Sequence, residues 1–243
     1  MSVPWFHVPS VPEAGTHVAL DRDEAKHALG VRRLGTGDGV TVFDGRGAVA
    51  EATIEPSRAR DGGTLVRVRA VRHVTRAGVD LVVGVAPPKG DRLSTMLDML
   101  GQLGVTAIVP LDARFGVVDA GGINRVRAER ILLEACKQSR SAWVAELRPA
   151  ATLAAFVEGS RTEGRSVLLA DAGGVAADAV PVARAAIAIG PEGGFAPEEV
   201  DVAVAAGAVR VGLGPSVLRV ETAAVALAAL LRARPVTERK EPE

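Results

Sequence analysis

Ile187-Ala188-Ile189-Gly190-Pro191-Glu192-Gly193-Gly194-Phe195 is followed, one short helix later, by Ala208-Val209-Arg210-Val211-Gly212-Leu213-Gly214-Pro215 and then by Leu218-Arg219-Val220-Glu221-Thr222. The apolar run Ile187–Ile189 reads as a buried strand. The turn Gly190–Phe195 is dense in residues that end regular structure. Pro197-Glu198-Glu199 begins a helix, with proline early and acids in the first turn. Ala208–Val211 is a second strand, and Glu221 opens a long apolar helix. Two glycine-rich strand ends therefore lie close in sequence. Glycines let a backbone approach a ligand closely, and open α/β sheets bind ligands at the carboxyl ends of their strands. Either turn alone reads equally well as an ordinary strand-to-helix bend, because short glycine patterns recur widely. The pair is more specific than either member.

Working outward, the 243 residues suffice for one large or two small domains. Hydrophobic residues make up 48% of the chain, which argues against disorder. The formal net charge is zero, so any RNA surface must come from local arginine clusters. The single cysteine, Cys136, cannot form an internal disulfide, and its helical neighbours favour a packed thiol over a nucleophile. All four histidines (His7, His17, His27 and His73) precede residue 74, and none pair at metal-ligand spacing. The later two-thirds therefore cannot run a histidine-dependent hydrolysis. No apolar run approaches the ~18 residues of a membrane span, and the start of the chain lacks a signal pattern. The expectation is a cytoplasmic protein with no membrane partner.

Residues 1–73 read as a small β-rich domain. Trp5–Val8, Val18–Leu20, Gly39–Phe43, Ala48–Ile54 and Leu65–Val71 are strand-like, with a hairpin turn at Asp44–Gly47. Asp21-Arg22-Asp23-Glu24 resembles a capping box before a short helix to Leu29. Closely spaced short strands suggest a barrel. The domain holds ten Lys/Arg against nine Asp/Glu, so only clustering makes it a nucleic-acid surface. Residues 74–243 read as an α/β domain, in which strands at Val79–Val85, Ala107–Val109 and Val167–Ala170 alternate with helices. Asp171-Ala172-Gly173-Gly174 reads as a loop after the last of these strands. The final helix, Glu221–Arg232, is apolar on almost every face and calls for burial on all sides. The charged tail from Thr237 reads as frayed.

The two glycine-rich turns also carry a resemblance. Residues 189–195 (IGPEGGF) with residues 213–223 (LGPSVLRVETA) resemble the signature of the RsmE family, methyltransferases of the SPOUT superfamily that act on a uridine N3 in small-subunit (16S) ribosomal RNA. His27–Leu34, Gly37-Asp38 and Phe43-Asp44-Gly45 resemble the PUA-like RNA-binding domain that begins those proteins. The resemblance implies an α/β fold in which a SPOUT-type, trefoil-knotted parallel-sheet domain follows a small PUA-like β-barrel. It implies S-adenosylmethionine as methyl donor with no metal, and a homodimer acting on 16S ribosomal RNA or an assembled small ribosomal subunit. It spans nearly the whole chain, with departures at Met99, Gln102, Phe115, Ser141, Ser216 and Val220, and with Ala196 where a helix-capping serine is usual. These bear on substrate contacts more than on cofactor binding.

On that resemblance, Leu169, Ile189, Gly190, Glu192, Gly193, Val211, Leu213, Gly214, Val217 and Leu218 are the candidate cofactor residues. Methyl transfer to nitrogen is an in-line displacement that requires alignment of donor and acceptor. Arg219, which cannot lose its proton, is the candidate for stabilising a deprotonated uracil imide. Glu221 either orients Arg219, accepts a proton, or serves as an acid in the helix's first turn. Arg32, Arg33, Lys89, Arg114 and Arg140 are candidate RNA contacts, against the plainer reading of solvated charges. The competing functions are a SPOUT enzyme with another RNA target, a non-catalytic RNA-binding assembly factor, and a nucleotide-binding enzyme built on Asp171–Gly174. The last lacks both the three spaced glycines and a GxxxxGK[ST] loop.

Overall fold

The computed structural model describes residues 3–58, 63–180 and 182–234. The tail from Thr237 lies outside the described residues. The chain divides into two compact units, Met1–Arg76 with Leu133–Val144, and Ala77–Leu132 with Ala145–Glu243. The sequence suggested one boundary near residue 73; residues 133–144 instead cluster with the first unit.

The first unit is built on β1 (Trp5–His7), β2 (His17–Leu20), α1 (Arg22–Lys26), β3 (Gly39–Phe43), β4 (Ala48–Arg58) and β5 (Thr64–His73). These strands form one sheet in the order β1-β3-β4-β5-β2, with β1 parallel to β3 and the remaining pairs antiparallel. Register shifts along β4 bend the sheet around its core. That core is Phe6, Leu20, Val40, Val42, Ile54, Val66 and Val68 with their neighbours. Burial alternates along β5, with Val66 and Val68 inward and Arg67 and Arg69 outward. Asp21 caps α1 by accepting the Glu24 N–H at 2.8 Å. The short helix expected to end at Leu29 instead passes into a π-helical turn over His27–Val31. In the β3–β4 turn, Asp44 accepts the N–H groups of Arg46 and Ala48 at 2.8 and 3.1 Å.

Residues 133–144 are fastened here by contacts that no sequence motif announced. Trp143 donates its indole N–H to the Val74 carbonyl at 2.8 Å, and the Val144 N–H reaches the Gly45 carbonyl at 2.9 Å. Lys137 pairs with the buried Glu24 at 2.9 Å. Cys136 packs with Phe43, Val49 and Ala142, and burial pushes its thiol up to about 11. It is a packed group, as its helical setting suggested, since the thiolate is the nucleophilic form.

The second unit holds β6 (Asp80–Val85), α2 (Asp91–Gln102), β7 (Ala107–Asp112), the first half of α3 (Arg125–Ser139), β8 (Glu146–Leu147), β9 (Ala151–Thr152), α4 (Leu153–Thr162), β10 (Ser166–Ala176), β11 (Arg184–Ile189), α5 (Pro197–Ala205), β12 (Val209–Gly212) and α6 (Val220–Arg232). Its sheet is parallel throughout, in the order β12-β10-β11-β6-β7-β8, with β9 beside β7. Near-continuous apolar strands are what a sheet covered on both faces requires. One face packs Val82, Val109, Leu169, Ala186 and Ala188 against Leu153, Phe156 and Val157 of α4. Gly84 makes room for the Phe156 ring, which would stand 2.7 Å from any added Cβ.

After the edge strand β12 the chain returns to the middle of the sheet, where α6 packs on β6, β11 and α2. Arg232 fixes the far end of α6 by donating to the carbonyls of Ala77 and Val79 at 2.7 Å and of Leu103 at 3.0 Å. Within the single chain the covered part of α6, expected to be buried on all sides, is one stripe. Val220, Ala224, Leu227, Ala228 and Leu231 form one buried stripe, while Thr222 and Leu230 are exposed. Alanine-rich faces read as apolar in sequence, yet only the face toward the sheet is covered.

Candidate active site

All ten residues expected to hold the cofactor line a single cavity of about 340 Å³ at the carboxyl ends of β11 and β12 and the middle of β10. That size is within the ~300–1,000 Å³ range of small-molecule sites. Leu169 is contributed by β10, Ile189 by the end of β11 and Val211 by β12, so the sheet forms the cavity floor. Gly190, Glu192 and Gly193 form one wall. Leu213, Gly214, Val217 and Leu218 form the other.

Local chemistry shapes each wall. In the first turn the Gly194 N–H donates to the Pro191 carbonyl at 2.8 Å, and Gly194 takes a φ of 75°, which favours glycine. Gly190 stands where an added Cβ would meet the Phe195 backbone nitrogen at 3.1 Å. Ala196 has no side-chain acceptor to cap α5. Glu199 reaches back to its N–H at 2.8 Å, so the half of a capping box that remains is the glutamate half.

The Asp171–Gly174 segment is not a loop after a strand but a bulge within β10. Ala170 and Val175 both pair with Val211, and the residues between are displaced from the ladder. Asp171 and Ala172 line the cavity as a result. Asp171 accepts from Arg210 and from the Gly173 N–H, at 2.9 and 2.8 Å, and these bonds hold its carboxyl below the usual range.

The second wall is open. Gly214 has a φ of 116°, and Val217 is 89% exposed with Leu218 beside it. An apolar side chain so exposed at a cavity rim is suited to covering a flat, partly apolar ligand.

Arg219 and Glu221 do not line the cavity but follow directly on its wall. Arg219 is the N-cap residue of α6, and its exposed side chain has no partner among the described residues. Glu221 does not pair with it. Its carboxylate lies 3.7 Å from Arg92, whose Nη1 also stands 3.0 Å from Glu192. Oε2 of Glu221 is buried and makes no hydrogen bond. Arg92, in the first turn of α2, thus joins the cavity wall to the start of α6. Sequence reasoning missed this link, because no motif spans the 100 residues from Arg92 to Glu192.

Of the five candidate RNA contacts, Arg32, Arg33 and Arg140 are exposed in the first unit, and Lys89 and Arg114 are exposed in the second. Arg33 and Arg140 each have a φ of 55°. Arg32 donates from Nε to His27 Nε2 at 3.4 Å. The Arg114 guanidinium lies 3.4 Å from Glu198. Among the departures from the family pattern, Ser216 and Val220 line the cavity, Gln102 bonds Asp98 at 2.8 Å, and Ser141 bonds the backbone of Trp143. Met99 is exposed on α2. Among the described residues no group of three or more His, Cys, Asp or Glu side chains is placed to hold a metal ion.

Comparison with known proteins bears on both units. Residues 75–232 match the model of an RNA methyltransferase domain, and residues 20–59 match that of an RNA methyltransferase PUA domain. The chain is 32% identical over 239 residues to the ribosomal RNA small subunit methyltransferase E of Mycobacterium bovis, covering 93% of this chain and 90% of that protein. The Mycobacterium tuberculosis protein of the same name gives the same figures. Among solved structures, the ribosomal RNA small subunit methyltransferase E of Neisseria gonorrhoeae bound to S-adenosyl methionine superposes with a TM-score of 0.85. It is 25% identical, and the match covers 94% of this chain and 96% of that one.

Proposed function

The chain belongs to the ribosomal RNA small subunit methyltransferase E family, and on that premise we propose that it transfers a methyl group from S-adenosylmethionine to N3 of a uridine in small-subunit (16S) ribosomal RNA. It is an S-adenosylmethionine-dependent ribosomal RNA methyltransferase. The observation that carries the assignment is the cavity. Two turns separated by a helix converge on one space, offering bare backbone at Gly190, Gly193 and Gly214, apolar side chains at Leu169, Ile189 and Val211, and a carboxylate at Glu192.

These residues fit an adenosyl sulfonium. The apolar floor accepts a purine, exposed amides and carbonyls suit its edge and the ribose, and the carboxylates of Glu192 and Asp171 answer its positive charges. S-adenosylmethionine supplies an electrophilic methyl group on a sulfonium centre. The protein's task is alignment and charge. Arg219, fixed in backbone by its capping position and free in its side chain, favours the uracil imide without its N3 proton. Glu192 is held toward the cavity by Arg92. Glu221, carrying a buried oxygen without a hydrogen bond, is either a proton acceptor or the anchor of Arg92.

The exposed arginines of the first unit, Arg32 and Arg33, serve as phosphate contacts, in keeping with the PUA match over residues 20–59. A homodimer accounts for the exposed Leu230 on α6 and Met99 on α2, two helices that pack together. Its place of work is the cytoplasm, with the small ribosomal subunit as partner. The deciding assay incubates the protein with unmodified small ribosomal subunits and S-adenosylmethionine, then digests the RNA to nucleosides for mass spectrometry. The expected product is 3-methyluridine. A ribose-methylated nucleoside, or no transfer, contradicts the proposal.

A further inference from the structure

We propose that Phe115 is a stacking platform for an unpaired RNA base at the rim of the cavity. The proposal rests on the methyl-transfer reading of that cavity and adds a residue that recognises substrate. The chain holds two Trp, five Phe and no Tyr. Six of these seven aromatic side chains are buried or half-buried in the two units. Phe115 alone is exposed, at 47%.

Its position is specific. It lies in the segment that leaves β7, beside the first glycine-rich wall. A Cβ added at Gly193 would stand 3.5 Å from the Phe115 Cβ and 3.9 Å from its ring, so the ring borders a cavity-lining residue. The segment is tied down rather than loose. The Arg114 N–H donates to Glu199 Oε1 at 3.3 Å, and its guanidinium lies 3.4 Å from Glu198 and 5.8 Å from the Phe115 ring centroid. Exposed aromatic area is costly in water unless a partner covers it. Every base has a π-face, so a ring at this rim takes an unpaired base without a sequence-reading hydrogen bond. The adjacent guanidinium supplies the positive charge that a neighbouring phosphate requires.

The test compares full-length Phe115→Ala, Phe115→Leu, Phe115→Tyr and Phe115→Trp with the parent protein. One stacked base corresponds to about a fivefold to hundredfold change in affinity. Phe115→Ala and Phe115→Leu should therefore raise KM for unmodified small ribosomal subunits by about that factor. Phe115→Tyr and Phe115→Trp should stay near the parent. S-adenosylmethionine affinity, read by calorimetry, should be unchanged in all four. Oligouridylate should quench the added indole fluorescence of Phe115→Trp beyond any change in the parent. Full activity in Phe115→Leu would make the ring a mere apolar contact and overturn the proposal. So would a change of oligomeric state in Phe115→Ala with RNA affinity intact. If the parent protein transfers no methyl group while the tryptophan is still quenched, the methyl-transfer reading fails and the platform stands.

Discussion

Replacing Arg92 by Gln removes the cation shared by Glu192 and Glu221. The two arms differ in environment. The Glu221 side chain is only 16% exposed, and its Oε2 is buried without a hydrogen bond. At 3.7 Å an opposite charge attracts it by roughly 4 kcal/mol at an effective dielectric of about 20. Desolvation offsets much of that. Oε2 accepts no hydrogen bond even with Arg92 present, so the substitution removes its countercharge, at a cost of about 1–3 kcal/mol, between that of an exposed and a buried pair. The Glu192 arm is shorter, at 3.0 Å, but both its groups are about a third or more exposed. It adds less than about 1 kcal/mol. The expected destabilisation is therefore about 2–3 kcal/mol, a fall in Tm of roughly 5–10 °C. Urea unfolding of the single variants Arg92→Gln, Glu221→Gln and Glu192→Gln, with the two doubles, apportions the loss. The coupling should be larger for the pair 92/221 than for the pair 92/192. A variant within about 0.5 kcal/mol of the parent, or a larger coupling to Glu192, would refute the reasoning.

Further outcomes follow from named contacts. Arg219→Ala should bind S-adenosylmethionine as the parent does, because Arg219 lies outside the cavity, but should lose methylation of small ribosomal subunits by about a hundredfold or more; unchanged turnover would remove Arg219 from the mechanism. Arg32→Ala with Arg33→Ala should weaken RNA binding and reduce its salt slope by about 0.7 for each phosphate that is no longer neutralised; an unaltered slope would make both bystanders. Burial alone would raise the Asp80 carboxyl, but bonds from Arg165, Thr106 and Arg184 outweigh it and hold it at about 2 against 3.8. A depressed carboxylate contributes stability that is complete above the unfolded value and lost as pH falls through the folded one. Asp80→Asn should thus be less stable by about 1–2 kcal/mol at neutral pH, allowing for solvent screening, and show a shallower acid limb in unfolding between pH ~4 and ~2. Burial would lower the Lys137 ammonium, but Glu24 and Glu134 outweigh it and raise it above 10.5. Its contribution is complete below pH 10.5 and lost as pH rises through the folded value. Lys137→Met should cost about 3–5 kcal/mol by leaving Glu24 buried and alone, and adding Glu24→Gln should restore much of it; a double variant no better than the single would contradict the pairing.

The cavity wall was legible because its signals are local. Glycines at 190, 193 and 214 and apolar strand ends at 169, 189 and 211 mark a bend and a floor, and all ten chosen residues meet in one cavity. The parallel strands of the second unit were legible from their short apolar runs. What escaped the sequence is non-local or depends on the partner face. Arg92 acts across 100 residues from Glu192, and no helical or strand period connects them. The β10 bulge turns on which strand lies beside it, since at Gly174 the Val211 backbone leaves no room for a Cβ. Residues 133–144 join the first unit through Trp143 and Lys137, side chains whose partners are set by tertiary packing. The apolar face of α6 read as buried because alanine gives no hint of which side meets the sheet.

The most direct measurement is a crystal structure of the full chain with S-adenosylmethionine. The adenosyl group should lie on Leu169, Ile189 and Val211, between the Gly190–Gly194 turn and the Leu213–Leu218 segment, with its sulfonium methyl facing the side of the cavity that Arg219 borders. Density for the donor anywhere else, or a cavity that excludes it at saturating concentration, would contradict the account.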